Sequence, residues 1–254
     1  MAYGLKRITA SKLHTLALML NTPGLFKAKL AGCDITMYKM LFTLFSMGIR
    51  PATILDIGAS SGNFTKCSNY LFSEADIYAF EPISELYERL CGLQKKIRTL
   101  KCYNIALGNK TTETVMHKNA YINASSLLEI SDIHKDACPR SSTTEPEVVK
   151  VDKLDSILNN VSLQKPLLIK IDVQGYENLV LEGAKKILRD TDYIICELSF
   201  FSLYKNQSLF NDLYSFLLNS GFSYFGPLIE HRHPRTHSIL QIDGLFMRKM
   251  LGYG

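Results

Sequence analysis

Ile54-Leu-Asp-Ile-Gly-Ala-Ser-Ser-Gly-Asn-Phe64 is a run of apolar residues interrupted by one acid that turns through two glycines and enters a helical pattern. That order is strand, tight turn, helix. Gly58 and Gly62 stand in a G-x-x-x-G spacing, and both let the backbone approach a ligand with no Cβ in the way. A dinucleotide pyrophosphate site uses G-x-G-x-x-G, with a third glycine and a helix N-terminus aimed at the phosphates. Asp56, near the strand end, repels phosphate and favours a cationic ligand.

Outward from this unit the rhythm repeats. Asp76–Phe80, Arg98–Tyr103, Leu167–Val173 and Tyr193–Leu198 read as further strands, and Phe64–Phe72 and Glu177–Leu188 as helices between them. Near-continuous apolar strands alternating with helices imply an α/β fold whose parallel sheet is covered on both faces. The rhythm changes at the end, where Phe222–Phe225 and Ile239–Met247 read as two strands joined without a helix. Ala137–Glu147 has no periodicity and is rich in turn formers, so an exposed loop is expected, either folding over the site as a lid or lying free.

A chain of 254 residues with 46% hydrophobic side chains closes one sizeable core. The expected division is a helical extension over 1–50, broken at Asn21–Gly24 and Ala31–Gly32, and one catalytic domain over 51–254. The six cysteines are scattered without a CxxC pair, which excludes a zinc ribbon or a small disulfide scaffold and fits free thiols in a reducing cytoplasm. Leu13–Leu20 is apolar but far shorter than the roughly 20 residues of a membrane span. Charge is concentrated at the N-terminus: Lys6, Arg7, Lys12, Lys27, Lys29, Lys39 and Arg50 face Asp34 alone within the first fifty residues. Such a segment suits an anionic membrane surface, a phosphorylated acceptor or nucleic acid, or simply a solvated helical face.

The strand ends carry polar residues in order. Glu81, in Phe80-Glu-Pro82, lies 23 positions after Gly58, where a carboxylate accepts hydrogen bonds from both hydroxyls of a ribose. The next strand ends in Tyr103-Asn-Ile-Ala-Leu-Gly108, whose Asn104 offers an amide donor and acceptor to a nucleoside. Ligands of open α/β sheets bind at the carboxyl ends of successive strands, so the order carries more weight than any one residue. Asp56-Ile-Gly-Ala59, Phe80-Glu-Pro82, Asn104-Ile-Ala-Leu-Gly108 and Lys170-Ile-Asp-Val-Gln-Gly-Tyr-Glu177 together resemble the ordered signature of FkbM-type methyltransferases over roughly residues 50–220. The resemblance implies a Rossmann-like seven-stranded sheet with an antiparallel last strand. It also implies S-adenosylmethionine as donor and O-methylation of a sugar, glycolipid or related hydroxylated metabolite. Asp56, Gly58, Ala59, Ser60, Gly62, Glu81, Pro82, Asn104 and Ala106 are then the cofactor-binding set. Three positions depart from the pattern: Ser60 stands where Asn is frequent, Ser84 where a second Pro is, and Gln174 where Glu is.

Methyl transfer to an alcohol needs an aligned acceptor and a base or metal near its oxygen. Asp172, at the fourth strand's end, is the expected base; Lys170, two positions earlier on the same side, is its expected ion-pair partner. Glu197, ending the fifth strand, is the third catalytic candidate, and with Asp172 it offers an oxygen pair that suits magnesium better than zinc. Glu230-His-Arg-His-Pro-Arg-Thr-His237 gathers three histidines and two arginines that suit a phosphate or carboxylate on the acceptor, with His231, His233 and His237 as alternative bases. Ser125-Ser126-Leu127 has no assigned role.

The missing third glycine argues against an NAD-binding oxidoreductase. No Asn/Asp-Pro-Pro-aromatic block follows the fourth strand and Cys138-Pro139 reverses the Pro-Cys order of cytosine chemistry, which argues against a nucleic-acid methyltransferase despite the basic N-terminus. A non-catalytic cofactor-binding subunit would have no need of Lys170 and Asp172.

Overall fold

The structure, a computed structural model, describes residues 17–18, 21–119, 124–141 and 143–249. Ten strands follow in chain order: β1 (Thr53–Ile57), β2 (Asp76–Phe80), β3 (Leu100–Tyr103), β4 (Ala106–Leu107), β5 (Thr112–Asn119), β6 (Thr144–Asp152), β7 (Leu167–Ile171), β8 (Tyr193–Ser199), β9 (Phe222–Arg232) and β10 (Ile239–Arg248). Among the described helices, α1 (Leu25–Leu30) and α2 (Ile35–Ser46) precede the sheet, while α3 (Asn63–Leu71) and α4 (Ser84–Gln94) follow β1 and β2. Then come α5 (Asp132–Ala137), α6 (Leu154–Ile157), α7 (Glu177–Glu182), α8 (Lys185–Asp190) and α9 (Phe210–Asn219).

Seven strands form one sheet in the order β3-β2-β1-β7-β8-β10-β9, and β10 runs antiparallel to both neighbours while the other pairs are parallel. Every residue of β1 and β7 is buried, as the continuous apolar runs required. Strand periodicity sends alternate side chains to opposite cores. Ile54 joins Leu41, Leu44, Phe64 and Cys67 on one face; Leu55 and Ile57 join Val180, Leu181, Leu213 and Leu217 on the other. Each fully buried Leu or Ile contributes about 1.5–3 kcal/mol relative to exposure. The chain leaves β1 toward β2 and β3, then returns to β7 on the other side, so the crevice opens at the carboxyl ends of β1 and β7.

The extension shares this core. Asp34 caps α2 by accepting the amide hydrogens of Thr36 and Met37 at 2.8 and 3.1 Å, and Tyr38, Met40, Leu41 and Leu44 bury one face of the helix. Lys6, Arg7 and Lys12, with most of the Leu13–Leu20 run, lie outside the described residues. Among the described residues no helix is long and apolar enough to cross a membrane. All six cysteines are free.

Three local expectations are corrected. Glu177–Leu188 is two short helices, α7 and α8, because the chain bends at Gly183, whose position would put a Cβ 1.9 Å from the Gly108 carbonyl. The fourth strand stops at Ile171, since Gln174 and Gly175 turn through left-handed backbone, φ 56° and 98°. Ala137–Glu147 is not one loop: its last residues begin β6, which pairs antiparallel with β5 and, at its far end, parallel with β4 in a second, three-stranded sheet. Pro146 is tolerated there because β4 reaches only Val151 and Asp152, leaving one side of β6 open at the proline.

Candidate active site

The turn after β1 is tied to the end of β2. Gly58 and Ala59 donate their amide hydrogens to the Phe80 carbonyl at 3.1 and 3.0 Å, and the Ser60 amide donates to Glu81 Oε2 at 2.8 Å. Glu81 Oε1 accepts the Ile83 amide at 2.9 Å. Burial pushes the Glu81 carboxyl up to about 7 despite these two amide donors. Ser60 sits at φ 48°, a conformation in which Asn is less strained than Ser, which accounts physically for Asn at this position in the resembling pattern.

The Lys170–Glu177 block builds the opposite lip. Lys170 is buried on β7, with Nζ 3.1 Å from Asp172 Oδ2 and 3.8 Å from Asp56 Oδ1, and donates toward the Gly58 carbonyl at 3.4 Å. Desolvation opposes its charge, but Asp172, Asp56 and Asp243 outweigh that and raise its pKa. Beyond the strand, buried Glu177 accepts the Val173 and Gly175 amides at 3.0 and 3.1 Å, pinning the turn between them. The turn aims Gln174. Its Nε2 donates to Asp172 Oδ1 at 2.7 Å and to both Glu197 oxygens at 3.2–3.3 Å, and its Oε1 accepts from the Tyr204 hydroxyl at 2.7 Å. Ser126 Oγ donates to the Gln174 carbonyl at 2.6 Å, which gives the serine stretch its role of buttressing the turn.

One neutral amide thus bridges the two carboxylates expected to hold a metal. Burial alone would raise Asp172, yet the Lys170 charge and the Gln174 amide hold it below the usual carboxylate value. Glu197 has no cation in contact, so burial and the charges of Asp172, Glu177 and Asp243 push it well above that value. Among the described residues, no group of three or more His, Cys, Asp or Glu side chains is disposed to hold a metal ion.

The remaining wall comes from β9 and β10. His231 Nε2 lies 3.3 Å from Asp243 Oδ2, a pairing across the antiparallel strands. The three histidines of the loop do not act as one cluster. His233 is buried 3.3 Å from Asp136, Arg235 also pairs with Asp136, and Arg232 pairs with Glu230. Both arginines of the loop are thus paired with exposed carboxylates, and His231, Arg232 and Pro234 line the space between these walls.

These walls enclose a cavity of about 610 Å³, in the usual range for ligand clefts. Gly58, Ala59, Ser60, Glu81, Pro82 and Ala106 line it, as do Lys170, Asp172 and Glu197. Three expected cofactor residues do not. Asp56 is fully buried behind the turn, accepting from Thr65 Oγ1 at 2.6 Å and facing Lys170, so it holds that lysine from behind the cavity wall. Asn104 spends its amide donors on the Glu81 and Pro82 carbonyls at 3.0 and 2.9 Å, holding the end of β2. Gly62 is required by its φ of 78° and by Leu90 and Leu93, within 3.0 Å of a Cβ built there. Gly58 has a similar reason: a Cβ at that position would lie 1.9 Å from the Asp172 carbonyl.

Sequence reasoning missed Tyr204, Asp243, His134 and the N-terminal residues Asp34, Thr36 and Met37, of which all but Tyr204 line the cavity. An acid inside the mostly apolar Ile239–Met247 was a signal for Asp243, since buried acids are rare without a partner. Tyr204 and α2 carried none.

The strand order, the single antiparallel strand and a crevice at the turn between β1 and β7 define a Rossmann-like methyltransferase fold. The chain belongs to the FkbM methyltransferase family: residues 56–224 match the Methyltransferase FkbM domain. The 2-O-methyltransferase NoeI of Sinorhizobium fredii is 25% identical over 162 residues, 61% of this chain and 66% of that protein. The hexuronic acid methyltransferase AglP of Haloferax volcanii is 24% identical over 147 residues, 56% of this chain and 54% of that protein. The chain therefore spans about two thirds of the first relative and about half of the second. Among solved structures, the 1,6-didemethyltoxoflavin-N1-methyltransferase of Burkholderia thailandensis is similar over 98% of this chain and 89% of its own, at 10% identity and a TM-score of 0.45.

Proposed function

We propose that this protein is an S-adenosylmethionine-dependent O-methyltransferase whose acceptor is a hydroxyl of a sugar, glycolipid or related metabolite. The observation that carries the reading is one cavity reaching from the Glu81 carboxylate to the carboxyl ends of β7 and β8. The residues fit the donor. Each Glu81 oxygen accepts one amide and keeps a lone pair for a ribose hydroxyl, the turn over Gly58–Ser60 supports the amino-acid end, and Pro82, Ile83, Leu86 and Ala106 offer apolar contact to the base. When bound, the donor supplies an activated methyl carbon that needs only an aligned nucleophile.

At the other end Asp172, Glu197 and Gln174 present the acceptors and donors with which proteins hold polyhydroxylated ligands. Lys170 keeps Asp172 ionised, so Asp172 is suited to orient an acceptor O–H. Its engagement with Lys170 and Gln174 makes it a weak base. The 2-O-methyltransferase and hexuronic acid methyltransferase names of the relatives support sugar hydroxyls as the class to screen.

Calorimetry with S-adenosylhomocysteine and with NADH, followed by transfer of labelled methyl to methyl glycosides of neutral hexoses, deoxyhexoses and hexuronic acids, tests the reading. S-adenosylhomocysteine binding together with a labelled glycoside is expected. NADH binding without S-adenosylhomocysteine binding, or binding with no sugar labelled, overturns it. The Asp172→Asn enzyme should keep its S-adenosylhomocysteine affinity and lose about 10–100-fold in kcat/KM, as for removal of a charged hydrogen-bond partner of the acceptor.

A further inference from the structure

We infer that His231, held by Asp243, is the base that takes the proton from the acceptor hydroxyl, which rests on the O-methyltransferase reading above. The two side chains come from neighbouring antiparallel strands and both line the acceptor end of the cavity. Asp243 is buried and only accepts hydrogen bonds when ionised, so the 3.3 Å contact assigns the shared proton to His231 Nε2 and leaves Nδ1 as the group with a free lone pair. A histidine fixed through one nitrogen by a buried carboxylate is oriented, and its imidazolium is stabilised when it gains a proton.

The other titratable groups on this wall are less suited. Lys170 stays charged between Asp172 and Asp56, Asp172 is held acidic by Lys170 and Gln174, and Glu197 is pushed toward its protonated form by burial and its neighbours. Asp34, at the head of α2 where that helix packs on β9, has its Oδ1 occupied by two amides. Arg232, next along β9, is paired with Glu230. His231 is faced by Asp243 from β10 and by Asp172 from the turn after β7; the Asp243 hydrogen bond is the larger influence, and together they raise its pKa despite partial burial. His134 also lines the cavity, but its Nδ1 is buried without a partner and burial lowers its pKa.

In the step, the acceptor O–H bond breaks and its proton passes to His231 Nδ1 while an oxygen lone pair forms the new O–C bond. The electron pair of the breaking C–S bond returns to sulfur, which becomes a neutral thioether. The His231 side chain is 46% exposed, so the imidazolium then returns its proton to solvent.

The test uses the glycoside labelled in the screen above and two readouts. First, kcat/KM for the acceptor, measured with S-adenosylmethionine saturating at every pH so that Glu81 does not contribute, should rise about tenfold per pH unit to a plateau, through one ionisation above the ordinary imidazole value of about 6.5. His231→Ala should lower kcat by about 10²–10⁴-fold with S-adenosylhomocysteine affinity within about twofold of wild type, and added imidazole should restore part of the rate. Asp243→Asn should move the pH limb to lower pH. Second, histidine side-chain NMR should show one imidazole titrating above the ordinary value in the S-adenosylhomocysteine complex, absent in His231→Ala and shifted down in Asp243→Asn. An unchanged pH limb in His231→Ala, no imidazole rescue, or loss of the limb in His134→Asn instead would overturn the inference. A wild-type enzyme that binds S-adenosylhomocysteine but labels no sugar fails the underlying reading, and the NMR titration still reports on the dyad.

Discussion

Replacing Gln174 by Glu changes one group in the acceptor wall and leaves the rest in place. The Tyr204 hydroxyl still finds an acceptor, but the amide donor that bridges Asp172 and Glu197 becomes a carboxylate oxygen about 2.7 Å from one and 3.2–3.3 Å from the other. Two unit charges at that shorter distance repel by about 6 kcal/mol at an effective dielectric constant of 20. Proton uptake limits the cost: keeping one carboxyl of ordinary pKa about 4.3 protonated at pH 8 takes about 5 kcal/mol. The Lys170 charge offsets part of this, so a loss of about 2–4 kcal/mol is expected near pH 8, or roughly 5–15 °C in Tm. Because the folded variant binds a proton that the unfolded chain releases, the deficit grows as pH rises and shrinks to about 1.5 kcal/mol near pH 5.5. Millimolar magnesium should restore part of the Tm at pH 8 by supplying a cation to three carboxylates. Thermal unfolding of wild type and variant across this pH range, with and without magnesium, measures all of it. An equal Tm at pH 8, or a deficit that does not narrow on acidification, would refute the placement of the Gln174 amide between the two acids.

The remaining predictions concern the donor end. With the Glu81 carboxyl pushed up to about 7, its ionised form, which in the proposed function accepts the ribose hydroxyls, is lost as pH falls. S-adenosylhomocysteine should bind about tenfold more weakly at pH 6 than at pH 8 in calorimetry. Glu81→Gln should remove that dependence and weaken binding at pH 8 by about 1.5–3 kcal/mol. Gly58→Ala meets both left-handed backbone at φ 77° and the Asp172 carbonyl, 1.9 Å from the new Cβ. It should cost about 3 kcal/mol or more and lower Tm by roughly 6–12 °C. Gly48→Ala is the control: φ is 81° with nothing within 4 Å of the Cβ, so denaturant unfolding should show only the backbone cost of about 1–2 kcal/mol.

Periodicity and glycine spacing determined most of the parallel sheet. β2 has the bounds its apolar run implied, and Glu81, Lys170, Asp172 and Glu197 stand at or near the carboxyl ends of β2, β7 and β8 because a parallel sheet leaves those ends in a row. What sequence could not determine is which polar side chain satisfies which. Asp56 and Asn104 occupy the expected strand ends, yet one Asp56 oxygen accepts from Thr65 while the carboxylate faces Lys170, and the Asn104 amide donates to the Glu81 and Pro82 carbonyls. β5 and β6 alternate too weakly to announce the second sheet, and Glu177–Leu188 looks continuous until Gly108 presses on Gly183. The contacts of Gln174 with Asp172, Glu197 and Tyr204, and of His231 with Asp243, join residues up to 30 positions apart on separate strands and loops. Local propensity carries no information about such meetings; they exist only once the sheet has closed and burial forces each charge and amide to find a partner.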